Sequence, residues 1–530
     1  MKGKVWLIGW LIIVCIGLGV IGGYMYKIDP YMHFHKPDTE RYFYSLDNQR
    51  SQNDGITKHF NYDALITGTS MTENFKTSEM NTIFDCNSIK VSYSGGSYKE
   101  MNDNLKIAVN NNPNLKTVVR GLDIGMFFDD KDRMREDLGA YPTYLYDANP
   151  LNDVKYLFNR DLIWNRVYSM VTAINEDGFK PGITSFDDYS RWQYYYVFGI
   201  NTVCPDGVSD VTKGKPVHLT DEQKEIIKNN ITQNVTSLAE KNSNITFYYF
   251  FTPYSAVWWK DLVSAGTIYK QIEAEKYIIE LILECDNIKL FSFNNRMDIT
   301  TNLNNYKDAP HYGQWVNSLM LRWMHDGKYQ LTKENYNDYL NDEMNNYLNF
   351  DYYSLNEQDD YESDFYAAAL LNEELTGAKP IKISDMSIDE IQLSNANIVK
   401  NQHDGQNGIE CKGSLARESG SDMSLIDYLV NNQYIGATIE LREIDDYGYL
   451  VFYGKKVKDH GQPTVYILNE KGEKVGEIVD NYNDIDNEWH QYVIDITAIK
   501  GDIKIVFNGG YIDNTGNVDS DYIFSDITLY

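Results

Sequence analysis

Five short runs in the first three hundred residues are apolar or β-branched and bounded by polar turn residues: 62–69, 88–93, 116–123, 245–252 and 288–293. Runs of that length and character predict strands buried on both faces. Helical patterns separate most of them, at 98–110, 221–241 and 268–285, and a further one follows at 317–325. Thr220, ahead of Asp221 and Glu222, reads as an N-cap with acids in the first turn. Strands alternating with helices predict a mainly parallel, helix-covered α/β sheet. The stretch 129–216 breaks the alternation between the third and fourth strands. It is rich in Asp, Asn, Tyr and Trp. Such an excursion either shapes the substrate site or lid, or is a packing insertion.

Two other patterns flank this region. Residues 5–24 are uncharged and apolar over a length that spans a bilayer, with Lys2 and Lys4 before them. An uncleaved transmembrane helix with a cytoplasmic N-terminus is expected, with a cleaved signal peptide as the competing reading. Roughly 500 residues then lie outside the membrane. Past residue 329 the chain turns acidic and tyrosine-rich, predicting a helical linker over 329–379. From 380 to 530 short alternating runs recur between Asn, Asp and Gly, at 437–441, 448–453, 464–468, 492–496, 503–508 and 522–530. Regular spacing of this kind predicts an antiparallel β-sandwich.

Size and charge narrow the possibilities. At 530 residues the chain needs more than one core, and 42% hydrophobic content with 43 tyrosines argues for packed material. A net charge of −29 offers no basic stripe for nucleic acid. Cys15, Cys86, Cys204, Cys285 and Cys411 are odd in number and widely spaced, so neither a disulfide framework nor a zinc site is indicated.

The chemistry gathers at two places. The first apolar run ends in Gly68-Thr69-Ser70, which puts a hydroxyl at the carboxyl edge of the sheet, where open α/β folds bind ligands. Far downstream, Asp308-Ala309-Pro310-His311 sets an acid three residues before an imidazole. Ser70, His311 and Asp308 supply a nucleophile, a base and a group to orient the base. Each piece has a structural alternative, a strand-end turn for the first and a capped turn before a helix for the second. Their order and placement favour the catalytic reading. The block is not Gly-x-Ser-x-Gly, which disfavours an α/β-hydrolase elbow. At the fourth strand's end, Tyr254 and Ser255 either line an acceptor pocket or cap the next helix. His33 and His35 lack a third ligand, which argues against a metal there. Trp258-Trp259 reads as helix packing before a sugar platform.

The Gly-x-Ser block after the first strand, the glycines of Ser94-Gly95-Gly96-Ser97 after the second, and the late Asp-x-x-His resemble SGNH (GDSL-type) hydrolases. The likeness covers roughly residues 58–326. It is closest to the membrane-anchored branch that modifies cell-surface polysaccharide and teichoic acid, typified by the DltD and alginate-acetylation proteins. The resemblance implies a flavodoxin-like three-layer parallel sheet and an extracytoplasmic esterase or O-acyltransferase without cofactor or metal. It also implies, as acyl donor, a multi-pass membrane O-acyltransferase. Ser70 matches the nucleophile, and Asp308 and His311 match the Asp-x-x-His pair. Gly95 or Gly96 would join Ser70 in the oxyanion hole. The third block departs: where the family has Gly-x-Asn-Asp, this chain reads Gly121-Leu122-Asp123-Ile124. Asn74 substitutes for the missing donor only if the fold brings it round. The sandwich, through Trp489-His490-Gln491-Tyr492-Val493-Ile494-Asp495-Ile496, resembles carbohydrate-binding modules, with Asn/Asp loops suited to glycan or calcium.

The expected organisation is a transmembrane helix at 5–24, an SGNH-like domain at 28–328, the linker, and the sandwich. The expected function is a single-pass, membrane-anchored serine O-acyltransferase or esterase of bacterial cell-surface polysaccharide, working through an acyl-serine. Asn74, Asp123 and Tyr254 are its candidate substrate contacts. The alternative is a non-catalytic glycan-binding or scaffold protein, which the missing asparagine favours and the intact Ser70, Asp308 and His311 oppose.

Overall fold

All five apolar runs form strands of one sheet: β1 (Ala64–Gly68), β2 (Ser88–Ser92), β3 (Thr117–Leu122), β4 (Thr246–Phe251) and β5 (Ile288–Ser292). The computed structural model describes residues 2–188, 192–209, 211–358, 360–361, 365–383, 386, 391–394, 396–412, 436–457, 464–479, 487–509 and 521–530. These fall into two units, Met1–Tyr196 with Ile200–Gln358, and Val197–Gly199 with Asp359–Tyr530.

In the first unit the strand order is β2-β1-β3-β4-β5, all parallel, and a two-residue strand, β6 (Gln330–Leu331), closes the edge antiparallel. Every residue of β1 and β2 is buried, as continuous apolar runs require of strands covered on both faces. Right-handed crossovers put the helices of the two winding directions on opposite faces. The winding reverses between β1 and β3, so the turns after these two strands border the crevice in which such sheets bind ligands. The Asp221–Ile231 helix starts in a capping box between Thr220 and Gln223, then passes through a π-helical turn at Thr232–Thr236 into Ser237–Lys241.

The N-terminal helix runs Lys2–Ile28, longer at both ends than the apolar run predicts. Of it, Gly3–Ile28 is long and apolar enough to cross a membrane. Its last turn is part of the unit's core, with Met25 and Ile28 buried.

The predicted linker is divided between the units. Tyr336–Asn349 is a helix of the first unit, burying Leu340, Glu343 and Tyr347 at helical spacing. Tyr347 stacks on Trp259 at 4.2 Å, so Trp259 is a packing residue of the Ala256–Ala265 helix. Tyr366–Thr376 packs instead on the second unit. Helix was expected over this stretch; what the acidic composition did not show is that its helices pack on cores, through Leu340, Glu343 and Tyr347 in one and Ala367, Ala368 and Ala369 in the other.

The second unit is two antiparallel sheets. Its strands are β7 (Ile381–Lys382), β8 (Ile391–Leu393), β9 (Ala396–Val399), β10 (Gly408–Lys412), β11 (Ala437–Leu441), β12 (Tyr449–Lys456), β13 (Thr464–Asn469), β14 (Lys474–Val479), β15 (His490–Asp495), β16 (Ile503–Asn508) and β17 (Asp521–Leu529). One sheet has the order β8-β11-β16-β13-β14, the other β9-β10-β17-β12-β15 with β7 on β17. Ile439, Phe452, Ile467, Ile505, Phe507 and Phe524 belong to the apolar core they share.

Candidate active site

The nucleophile turn depends on close packing. At Gly68, φ is +154° and a Cβ would lie 2.4 Å from Thr72 Cγ2, so only glycine fits the last residue of β1. The chain then makes a single 3₁₀ turn, Ser70–Thr72. Thr69 Oγ1 donates to Asp123 Oδ2 at 2.8 Å. Thr72 Oγ1 donates to the Thr69 carbonyl at 2.9 Å and meets Ser92 Oγ at 2.8 Å. Asn317 Nδ2 and Tyr312 OH hold the Met71 carbonyl at 3.0 and 3.3 Å. Met71 and Thr72 are buried while Ser70 itself is half-buried.

Asp308 and His311 occupy the loop ahead of the Gln314–His325 helix. Tyr306 and Tyr312 pair across the loop, and Lys307 N–H donates to the His311 carbonyl at 3.0 Å. Ser255 N–H donates to the Ala309 carbonyl at 2.9 Å, fastening the loop to the end of β4. Across the crevice Ser70 Oγ lies 2.8 Å from His311 Nε2. His311 Nδ1 faces both Asp308 oxygens at 2.7 and 2.8 Å. A carboxylate at Nδ1 puts the proton on that nitrogen and leaves the Nε2 lone pair for the Ser70 hydroxyl. Burial works to raise the Asp308 pKa. The hydrogen bonds and charge of His311, with the Lys307 ammonium 3.6 Å away, outweigh it and hold the acid below its ordinary value.

The other sequence-derived residues divide by what their polar atoms do. The Gly96 N–H is spent on the Tyr93 carbonyl at 2.7 Å, which removes Gly96 as an oxyanion donor. The N–H groups of Gly95 and Ser70 carry no protein partner among the described residues. Gly95 has φ +64°, and its carbonyl accepts from Arg135 at 2.6 Å. Asp123, in the third block, accepts from Thr69 and from Tyr254 OH at 3.0 Å, so it offers the site no donor. Burial raises its pKa against those two hydrogen bonds and the charge of His311. Tyr254 is therefore a buried partner of Asp123 and not a pocket wall. Asn74 is buried, its Oδ1 accepting from Trp192 N–H at 3.4 Å.

Several contributors have no motif. Trp192, from the 129–216 excursion, sets its ring edge-on to His311 with centroids 5.1 Å apart. Its Nε1 donates to Glu73 Oε2 at 3.3 Å, and Lys307 lies over its ring at 4.5 Å. Gln49 ties the two loops together, donating to Glu73 Oε1 and accepting from Ser94 N–H, each at 2.5 Å. Lys90, fully buried in β2, donates to the carbonyls of Glu73 and Phe75, and burial brings its pKa down to about 7. The only advance signal for Trp192 was the aromatic richness of its segment.

For metals, His33 and His35 are otherwise engaged. His33 bridges Asp54 and Asp153, and His35 faces the carbonyls of Lys36 and Tyr26. In the second unit His403, Asp404 and Asp526 bring one ligand atom each within 4.8 Å of one another, a grouping invisible in the sequence. Beside it His403 stacks on Tyr453 at 3.7 Å and meets Trp489 edge-on at 5.4 Å.

No protein-family model matches the chain, and no curated protein matches it in sequence. Solved structures similar to part of it include CsCBM6-3 from Clostridium stercorarium in complex with cellobiose. It is 14% identical over 28% of this chain and 91% of that one, with a TM-score of 0.17. A family 6 carbohydrate-binding module from Clostridium cellulolyticum in complex with xylose is 11% identical over 29% and 96%, with a TM-score of 0.18. A family two carbohydrate esterase from Cellvibrio japonicus is 12% identical over 28% and 32%, with a TM-score of 0.17. These likenesses cover under a third of the chain and superpose too weakly to carry a ligand or an activity across.

Proposed function

We propose that the first unit is an SGNH-type serine ester enzyme with a flavodoxin-like core, held to a membrane by its N-terminal helix. It acts on O-acyl groups, acetyl above all, of cell-surface polysaccharide. The observation that carries this reading is the line from Ser70 Oγ through His311 to Asp308, at the edge where the sheet's winding reverses. Ser70 Oγ attacks the acyl carbonyl and passes its proton to His311 Nε2. Asp308 stabilises the imidazolium that forms. The N–H groups of Ser70 and Gly95 stabilise the oxyanion. Collapse of the tetrahedral intermediate breaks the ester bond, and the leaving alkoxide takes the proton from His311. Water or a sugar hydroxyl, activated by the same nitrogen, then attacks the acyl-serine, so one site serves hydrolysis or transfer. A second membrane protein would supply the acyl group in the transfer version. In the second unit the cluster of Tyr453, His403 and Trp489 suits a sugar face.

The buried Met25 and Ile28 support an uncleaved anchor over a removed signal peptide, because cleavage beyond the helix would strip core residues from the unit. The test uses the full chain in lipid vesicles with an aryl acetate and an acetylated oligosaccharide. Acetate release and an acetyl-Ser70 adduct by mass spectrometry, both lost in Ser70→Ala, are expected. No release and no adduct with either donor would leave the binding or scaffold role.

A further inference from the structure

The segment after the N-terminal helix is tied to Tyr44, Asp54 and His59 and, on another side, to one small region of the 129–216 excursion. The Asp29 carboxylate accepts from the backbone N–H groups of His33, Phe34 and His35 at 3.0, 2.7 and 3.0 Å. It also accepts from Tyr156 OH at 2.8 Å, and Tyr31 N–H donates to the same phenol oxygen at 2.9 Å. His33 reaches Asp153 at 3.3 Å. Both Asp153 and Tyr156 belong to the short helix Val154–Leu157 and its N-terminus. The contact extends down the membrane-type helix itself. A Cβ on Gly22 would lie 3.4 Å from Phe158 Cζ, six residues before the helix ends.

This places residues 151–168 at the depth of a bilayer boundary. The 26 residues of Gly3–Ile28 rise roughly 39 Å, against about 30 Å of hydrocarbon. Because Met25 and Ile28 are buried in the unit, the anchor reading assigns the excess to this end, in the headgroup zone, with Phe158 beside it. The same stretch turns large apolar groups outward: Leu151 is 80% exposed, Trp164 62% and Tyr168 58%, with Val154 and Phe158 also exposed. Trp164 and Tyr168 are four residues apart on one helical stripe, their rings 6.2 Å apart, while Leu162, Val167 and Met170 face inward. Exposed Lys155 and Arg160 lie among them. Tryptophan and tyrosine with basic neighbours are the side chains that settle at a membrane interface.

We propose that residues 151–168 form a second membrane contact, seated in the lipid headgroup region beside the N-terminal helix. The occupant is lipid and not a partner protein, because the patch is continuous with a helix surface that itself needs lipid. This rests on the anchor reading above. A bilayer held at two places fixes the tilt of the first unit, and with it the height of Ser70 above the surface.

The test places the photoreactive residue benzoylphenylalanine, one position at a time, at Trp164, Tyr168, Ile21 and Lys228 of the full chain. The proteins are reconstituted in vesicles of equal phosphatidylglycerol and phosphatidylcholine, irradiated, and digested for mass spectrometry. Lipid adducts at 164 and 168 matching those at Ile21, and exceeding those at exposed Lys228, are expected. Adducts at Ile21 with none above the Lys228 level at 164 and 168 overturn the second contact and leave the anchor standing. Absence of lipid at Ile21 overturns the anchor reading itself. In native membranes, a protein adduct in place of lipid at 164 and 168 overturns the lipid assignment in favour of a membrane-protein partner.

Discussion

The two units bury very different things. Among the described residues, the first encloses Asp29, Asp54, Glu73, Lys90, Glu100, Arg120, Asp123, Glu275 and Glu343, whereas the second encloses one charged residue, Lys456. Its sheets close on aliphatic and aromatic side chains. Burying charge costs stability unless partners are supplied, so a fold that carries many such groups is spending part of its stability on fixed geometry. Three of these groups stand behind the crevice: Lys90, Glu73 and Asp123 brace the Ser70 turn. The polar residues the sandwich buries are, Lys456 apart, uncharged, among them Thr438, Gln491, Asn508 and Ser525. Fixed polar geometry marks one unit and an aliphatic and aromatic core the other.

That contrast can be broken from either side. Ser70→Ala should reduce ester turnover by about 10⁴-fold or more, measured as acetate release, while thermal unfolding of both units stays unchanged. Phe507→Ala removes a buried ring that meets Phe524 at 5.0 Å and Phe452 at 6.1 Å. A cost of about 3–5 kcal/mol is expected, read as earlier melting of the sandwich by calorimetry. Esterase activity should persist through it, and a matching loss of activity would mean the units are not independent.

The buried acids sharpen the comparison through pH. Glu275 and Glu343 meet in the first unit, braced by Gln271 and Asn294. Burial raises Glu275 from an ordinary 4.5 to about 7. Between those values the folded chain binds more protons than the unfolded one, so the contribution is full below 4.5 and lost as pH rises through about 7. Melting of the first unit should fall across that window, and Glu275→Gln should flatten the fall. An unchanged slope in the variant would show that Glu275 is not the group titrating across that window. The smallest effect is expected at Trp192→Ala, which unseats an edge-on neighbour of His311. Roughly tenfold in kcat with little change in KM is expected, about 1.4 kcal/mol. A change confined to KM would make Trp192 a substrate contact instead.

The strands were legible because burial on both faces leaves an unbroken apolar run. The two-residue β6 was not, since Gln330–Leu331 carries no pattern of its own. Ser70 and the Asp308–His311 pair were legible because strand ends and short spacings survive in one dimension. Trp192 lies 119 positions from His311, and nothing local marks the meeting. Gly96 shows the converse: its place in a motif suggested a donor, and a tight turn to Tyr93 had already used it. The helix Tyr336–Asn349 was expected as linker, and its acids concealed that Leu340, Glu343 and Tyr347 pack into the first unit.

The buried Met25 and Ile28 make the N-terminal helix continuous with the unit's core, so that on the proposed anchor it is a stiff mount and not a leash. A protein on a leash samples a hemisphere of positions and finds its substrate by swinging. One whose mount is continuous with its own core turns only when the helix turns in the lipid. On the proposed anchor and ester chemistry, its search is two-dimensional, set by lateral drift, and a polymer must reach Ser70 at one fixed altitude.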